Sequence, residues 1–350
     1  RYRLVGSEMC IRDRNNSCFI NCDYCFVNRE MDFEKKGKLP STIAPMSLIQ
    51  EAVDKSLGFT SRLITIVGGE PLMNGVEWMR EAFEIIRANE KKIFCPTKLR
   101  LYTNGLLLDD EWIELFREFD VQLVVSYDGF GHGQKGSRKA QDLLRKYAKD
   151  VYFVSPTVTR ANCDTFLDFY KEMEDLGIKR INVQYDVFGS VEDYKEFART
   201  TIEAFDYIST LKKTKTNLFL YNDAKNLAKG NLISIVGGEL FLPGTLNDYV
   251  IGHDGSLRNG LCAGEGDYGT YGNLADYDSI YDVIWTDMGR RVQKDYVNAI
   301  KAFGEHEKIS YLTRGGGYPG DKYGNRPEDA PHYPKLTAAL ELVRYFDPEF

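Results

Sequence analysis

From about residue 61 to residue 185, short apolar runs alternate with stretches whose apolar residues recur at spacings of three and four. That alternation predicts successive strands and amphipathic helices around a parallel sheet. The strand-like runs are residues 62–67, 98–102, 121–126, 151–158 and 180–184. The spacing between them predicts helices over 75–89, 109–119, 137–148 and 163–176, with Asp109 as an N-cap and Gly177 as a C-cap. Another helix, over 47–55, precedes the first clear strand. After Gly189 the rhythm changes. Residues 190–211 read as one long helix with Val191, Tyr194, Phe197 and Thr201 along one stripe, 216–278 as Gly-, Asn-, Asp- and Tyr-rich chain with short strand-like runs, 279–303 as helix and 315–334 as loop.

Ligand sites of parallel sheets lie at the carboxyl ends of the strands, whether the sheet is open or closed. Distinct short motifs stand at those places: GGEP follows Val67, TNG follows Tyr102, and YDG follows Ser126. Each alone is an ordinary turn sequence; their order along the chain gives them weight. The length, 350 residues, permits one large barrel or two domains. With 43% hydrophobic and 28% charged residues, the composition is that of a soluble globular protein. A net charge of -7 supplies no basic field for a phosphate backbone, so nucleic acid is not an expected partner. No apolar run approaches the roughly 20 residues that cross a bilayer, and nothing resembles a signal peptide. The expectation is a cytoplasmic protein with no membrane contact.

Seven cysteines, at 10, 18, 22, 25, 95, 163 and 262, are too sparse for a disulfide scaffold, yet three crowd into the eight residues from Cys18 to Cys25. The run SCFINCDYCF has the spacing C-x3-C-x2-C, and three thiolates in one loop can wrap a compact metal centre. On a four-iron cubane they leave one iron without a protein ligand, open to a small molecule in the way the vacant position of a catalytic zinc is. The alternative is a structural zinc knuckle, which requires a fourth ligand; the four histidines, at 132, 253, 306 and 332, are scattered and offer no pair. Cys95 and Cys163 read as small buried hydrophobes. Cys262 sits in a glycine-rich loop. The stretch LVGSEMCIRDR within residues 1–14 resembles peptide translated from adapter sequence at the ends of reading frames, so these residues are expected to be a non-native or disordered leader, and Cys10 has no assigned role.

C-x3-C-x2-C with Tyr24 before its last cysteine, followed one strand later by GGEP, resembles the signature pair of the radical S-adenosylmethionine (SAM) superfamily. The resemblance covers about residues 18–189 and implies a partial (β/α)6, TIM-like barrel over 15–189 with a C-terminal α+β cap over 190–350. It implies a [4Fe-4S] cluster on Cys18, Cys22 and Cys25, with SAM on the remaining iron. It also implies cofactor-binding roles for Tyr24, for Gly68, Gly69, Glu70 and Pro71 near the SAM amino group, and for Thr103 and Asn104. Ser126 and Asp128 of SYDG would meet the ribose or the substrate. Gln184 and Arg160, the latter beside Thr159, are weaker assignments, with Arg160 suited to a bidentate bond to the SAM carboxylate.

DGSLRNGLC at 254–262 and the chain to Trp285 are similar to the opening of the SPASM or twitch extension of sulfatase maturases and peptide-modifying relatives. Those extensions bind auxiliary clusters, but no cysteine follows Cys262, so a degenerate cap and a single cluster are expected. By this likeness the substrate is a peptide or protein side chain, and the electron comes from a donor such as flavodoxin or ferredoxin. The alternatives are radical chemistry on a small molecule, or a non-catalytic iron-sulfur or zinc protein.

Overall fold

The computed structural model describes residues 7–13, 18–25, 43–56, 62–92, 97–133, 135–186, 189–230, 248–259, 270–292, 294 and 333–350. The chain gathers into two compact units. One holds residues 1–103, 107–123 and 239–294, and the other 104–106, 124–238 and 295–350.

In the first unit the strands β1 (Ser7–Asp13), β2 (Arg62–Gly68) and β3 (Thr97–Thr103) run parallel, and β10 (Asp248–Ile251) pairs parallel with β1. The strands β11 (Ser256–Asn259) and β12 (Thr270–Asn273) continue from β10 as an antiparallel meander. From Arg62 to Ile66 every side chain of β2 is buried, as a parallel strand covered on both faces requires. Helix α1 (Met46–Lys55) buries Leu48, Ile49, Ala52 and Val53, and α2 (Val76–Glu90) buries Met79, Ala82, Phe83 and Ile86, one stripe each at helical spacing. Helix α3 (Asp110–Glu118) begins where Asp109 accepts the Trp112 N–H at 3.1 Å, the N-cap its sequence announced.

At the amino end of β2 a fully buried Arg62 ties four elements together. Its guanidinium donates to Thr97 Oγ1 at 2.9 and 2.7 Å, Ser56 Oγ at 3.0 Å, Asn89 Oδ1 at 3.1 Å and the Val53 carbonyl at 3.2 Å. A buried charge is tolerable only when its donors are satisfied in this manner. This end of the strand is therefore devoted to stability, and the opposite end is left for chemistry.

The chain leaves the first unit along β4 (Val121–Val125), of which Val124 and Val125 belong to the second. There β5 (Val151–Val154), β7 (Arg180–Ile181) and β9 (Asn217–Leu218) pair in parallel, and β6 (Thr157–Val158) pairs with β8 (Gln184–Tyr185). Both expected strands, over 151–158 and 180–184, are thus broken in two. Pro156, which has no N–H to donate, stands in the first gap. Helices α4 (Arg138–Tyr147), α5 (Phe166–Leu176) and α6 (Val191–Thr210) follow their predicted ranges within a few residues, and Gly177 closes α5 with φ +78°. On α6, Tyr194, Phe197 and Thr201 of the predicted stripe are buried, while Val191 in the first turn is half-buried.

Four features differ from the sequence reading. Residues 7–13, expected to be leader, form β1 between β2 and β10; backbone pairing on both sides places the strand there without reference to its side chains. Helix α7 (Phe219–Ala228) lies inside the stretch read as strand-like, and it packs on the chain end, where Phe205, Tyr221 and Phe346 meet at centroid distances of 5.1 to 5.8 Å. The helix expected over 279–303 starts instead as a 3-10 segment, Ile280–Trp285, interrupted at Thr286 by extended backbone. The fourth is α8 (Tyr333–Arg344), which begins where the expected loop over 315–334 ends; residues 315–332 lie outside the described chain, as do Cys95 and Cys262.

Gly189 marks the entry to α6. A Cβ there would stand 2.9 Å from Tyr194 Cε2, and the Tyr194 ring is held by its hydroxyl on the Asp186 carbonyl at 2.8 Å and by Phe197. Gly189→Ala is therefore expected to cost about 1–3 kcal/mol. In urea the midpoint should fall with an unchanged slope, and an unchanged midpoint would show that the ring simply gives way.

Candidate functional site

The turn after β2 is shaped by its proline. Pro71 bars the helical region to the residue before it, and Glu70 is accordingly extended, φ -127° and ψ 104°. Pro71 opens a 3-10 segment, Pro71–Asn74, at the position where a missing N–H costs nothing. The extended Glu70 turns its side chain back over that segment, and Oε1 accepts the Leu72 N–H at 3.2 Å. The same oxygen accepts the hydroxyl of Thr103, at the end of the neighbouring strand, at 2.6 Å. Glu70 is 1% exposed, so the carboxylate is held in place by burial and two donors. Gly75 closes the turn at φ +88°, ψ 158°, a conformation open only to glycine.

Cys18, Cys22 and Cys25 are all half-buried, and the Cys25 N–H donates to the Cys22 carbonyl at 3.0 Å, closing a turn that carries Asp23 and Tyr24. Ile20 anchors the loop in the core while Phe19 faces outward. Burial is the chief cause that pushes the Cys18 thiol above its ordinary range; the Glu70 carboxylate and the Cys22 and Cys25 thiols add to it, against the Ile20 N–H. Glu70 and the two other thiols of the loop thus act on Cys18 in the same direction as its burial.

Three thiolates beside a buried carboxylate repel one another unless a cationic centre lies among them, so this donor set fits an iron cluster. Among the described residues no three His, Cys, Asp or Glu side chains gather round a point that would hold one metal ion. A cubane spreads its iron over several corners, and its cysteines stand correspondingly farther apart.

The remaining expected site residues lie in the second unit: Asn104 follows β3, Ser126 and Asp128 follow β4, Arg160 lies just past β6, and Gln184 opens β8. Asn104 is buried and accepts the Leu106 N–H on Oδ1 at 3.0 Å, which bends the chain through Gly105. Asp128, 6% exposed, accepts the Thr157 N–H at 2.9 Å and so fastens the loop after β4 to the start of β6. Ser126 is half-buried beside it. Gln184 is exposed, with its backbone N–H on the Pro156 carbonyl. Arg160 is exposed, and its field helps hold Asp193 and Glu196, in the first turns of α6, below the usual carboxylate range, after the Ser190 hydrogen bonds on the one and Arg199 on the other.

Sequence reasoning gave Glu172 no part. It lies on α5, and its two oxygens accept from Tyr127, Gln141 and the Phe130 N–H. Nothing in the local sequence marks it, because a glutamate on an amphipathic helix reads as solvent face.

Comparison with known proteins places this geometry. A family model described as the Radical SAM superfamily matches residues 14–201. The cysteine-type anaerobic sulfatase-maturating enzyme of Clostridium perfringens (strain 13) is 24% identical over 280 residues, covering 73% of this chain and 70% of that protein. The solved structure of native anSMEcpe with bound AdoMet and Cp18Cys peptide aligns with a TM-score of 0.71 at 20% identity, over 98% of this chain and 97% of that one. Streptococcus suis SuiB bound to precursor peptide SuiA aligns with a TM-score of 0.57 at 17% identity, over 83% and 67%. The mixed α/β fold with its parallel strands is thus that of the partial TIM barrels in this group.

Proposed function

Since the chain belongs to the radical SAM superfamily, we propose that Cys18, Cys22 and Cys25 hold its [4Fe-4S] cluster and that the enzyme modifies a peptide or protein side chain. The observation that carries this reading is the C-x3-C-x2-C loop itself, three half-buried cysteines held in one turn by the Cys25 N–H on the Cys22 carbonyl, within the residues the family model matches. When bound, a [4Fe-4S] cluster held by Cys18, Cys22 and Cys25 would supply the one-electron reduction of SAM on which radical abstraction of a substrate hydrogen depends.

The chain's own groups orient and enclose. Gly68 and Gly69 let the backbone approach the SAM amino group, and Glu70, fixed by Thr103, accepts from it. Tyr24 and Pro71 wall this corner, and Asn104 shapes the turn beside it. Ser126 and Asp128 present the loop after β4 to the ribose or the substrate, Gln184 offers an exposed amide, and Arg160 a guanidinium for the SAM carboxylate. No helix among the described residues is long and apolar enough to cross a membrane. A reducing cytoplasm, with a flavodoxin- or ferredoxin-like donor, suits a low-potential cluster.

Support for a peptide substrate comes from relatives named as sulfatase-maturating enzymes and from neighbours solved with peptides bound. In the test, the reconstituted chain should carry about four irons, the content of one cubane. It should release 5'-deoxyadenosine on reduction with SAM, and change the mass of a candidate peptide in a SAM-dependent manner. One zinc and no response to SAM would overturn the enzyme reading, and turnover of a small molecule with peptides inert would overturn the substrate class. Cys262→Ala should keep the full iron content, and loss of iron in that variant would show that the single-cluster assignment is wrong.

A further inference from the structure

The loop after β4 reads SYDGFGHG, a run whose backbone has little intrinsic preference. At Gly129 the chain takes φ +100°, a conformation that no neighbouring side chain of its own would impose. Two anchors fix it. On one side Asp128 accepts the Thr157 N–H. On the other, Glu172 of α5 accepts the Tyr127 hydroxyl at 2.6 Å and the Gln141 amide at 2.6 Å on Oε1, and the Phe130 N–H at 3.1 Å on Oε2. Arg138 in turn donates to Gln141 Oε1 at 2.9 Å and lies 4.8 Å over the Phe130 ring. Tyr127 itself is fully buried. Burial first, then Glu172, pushes its phenol well above the ordinary range, so it remains a donor.

We propose that Glu172 is a positioning residue of the cofactor site, holding the Tyr127 hydroxyl on one side of Asp128 and Gly129 and the Phe130 N–H on the other so that Ser126 and Asp128 are presented to SAM in one geometry. This rests on the reading that the loop after β4 meets SAM. A carboxylate suits the task because its two oxygens accept all three donors; an amide would set its own N–H₂ against one of them.

The test uses the full chain with its cluster reconstituted, measuring SAM-dependent release of 5'-deoxyadenosine together with iron content and thermal midpoint. Glu172→Gln should raise the KM for SAM about tenfold and Tyr127→Phe about threefold, with kcat within about twofold and iron unchanged, on the scale of a hydrogen bond to a charged group. A lowered midpoint with KM unchanged would make Glu172 merely structural and overturn the proposal, as would a fall in kcat at constant KM. Should Glu172→Gln fail to fold, the KM of Tyr127→Phe decides alone. Ser126→Ala separates the two levels. If it raises KM while the Glu172 variant does not, only the positioning role fails; if Ser126→Ala leaves KM at the wild-type value, the loop is not at the cofactor and the underlying reading fails.

Discussion

Cys22→Ala will leave the chain folded and without iron. Cys22 is the middle thiol of C-x3-C-x2-C, and its carbonyl also closes the turn by accepting the Cys25 N–H at 3.0 Å. Alanine preserves that backbone bond, so the loop keeps its shape while one sulfur is lost. Two thiolates cannot retain a cubane that three hold with one iron already open, and no fourth thiol stands in reserve in this loop. Iron should fall from about four per chain to well below one, and 5'-deoxyadenosine should drop to the level of a no-enzyme control. The far-ultraviolet circular dichroism should be unchanged, because Ile20 anchors the loop and β2 is buried independently of the metal. A variant that keeps its iron and still cleaves SAM would remove the basis of the proposed function.

Thr103→Val is the second large effect. Valine matches threonine in shape, so the change strips one donor from the buried Glu70 carboxylate and leaves the Leu72 N–H at 3.2 Å. Removing a hydrogen bond to a buried charge costs about 1.5–3 kcal/mol. Most of that cost should appear in SAM affinity, about 10- to 100-fold weaker by the change in the cluster's absorption, and the small remainder in thermal stability. Thr103→Ser, which restores the hydroxyl, should recover affinity to within about threefold. Equal affinity in the valine and serine variants would show that Glu70 does not depend on Thr103 for its placement.

The reach of the sequence is clearest where residues are close along the chain. The Asp109 cap, the left-handed Gly177 and the stripe of Tyr194, Phe197 and Thr201 are local or periodic signals, and each took the form expected of it. Helix α7 was misread because short apolar runs carry no period long enough to separate helix from strand. The expectation that Asn104 and Asp128 simply face a ligand missed that each commits an oxygen to a backbone N–H.

By itself the sequence determined the chemistry on offer: three thiols in one loop, and a Gly-Gly-Glu-Pro turn at the carboxyl end of a strand. Tertiary structure alone decided which groups hold which. Thr103 reaches Glu70 across 33 residues of chain, Tyr127 reaches Glu172 across 45, and β1 takes its place through pairing with β2 and β10. The reason is physical. A turn or a cap is fixed by torsions within a few residues, whereas a bond between distant side chains exists only after the strands and helices that carry them have packed.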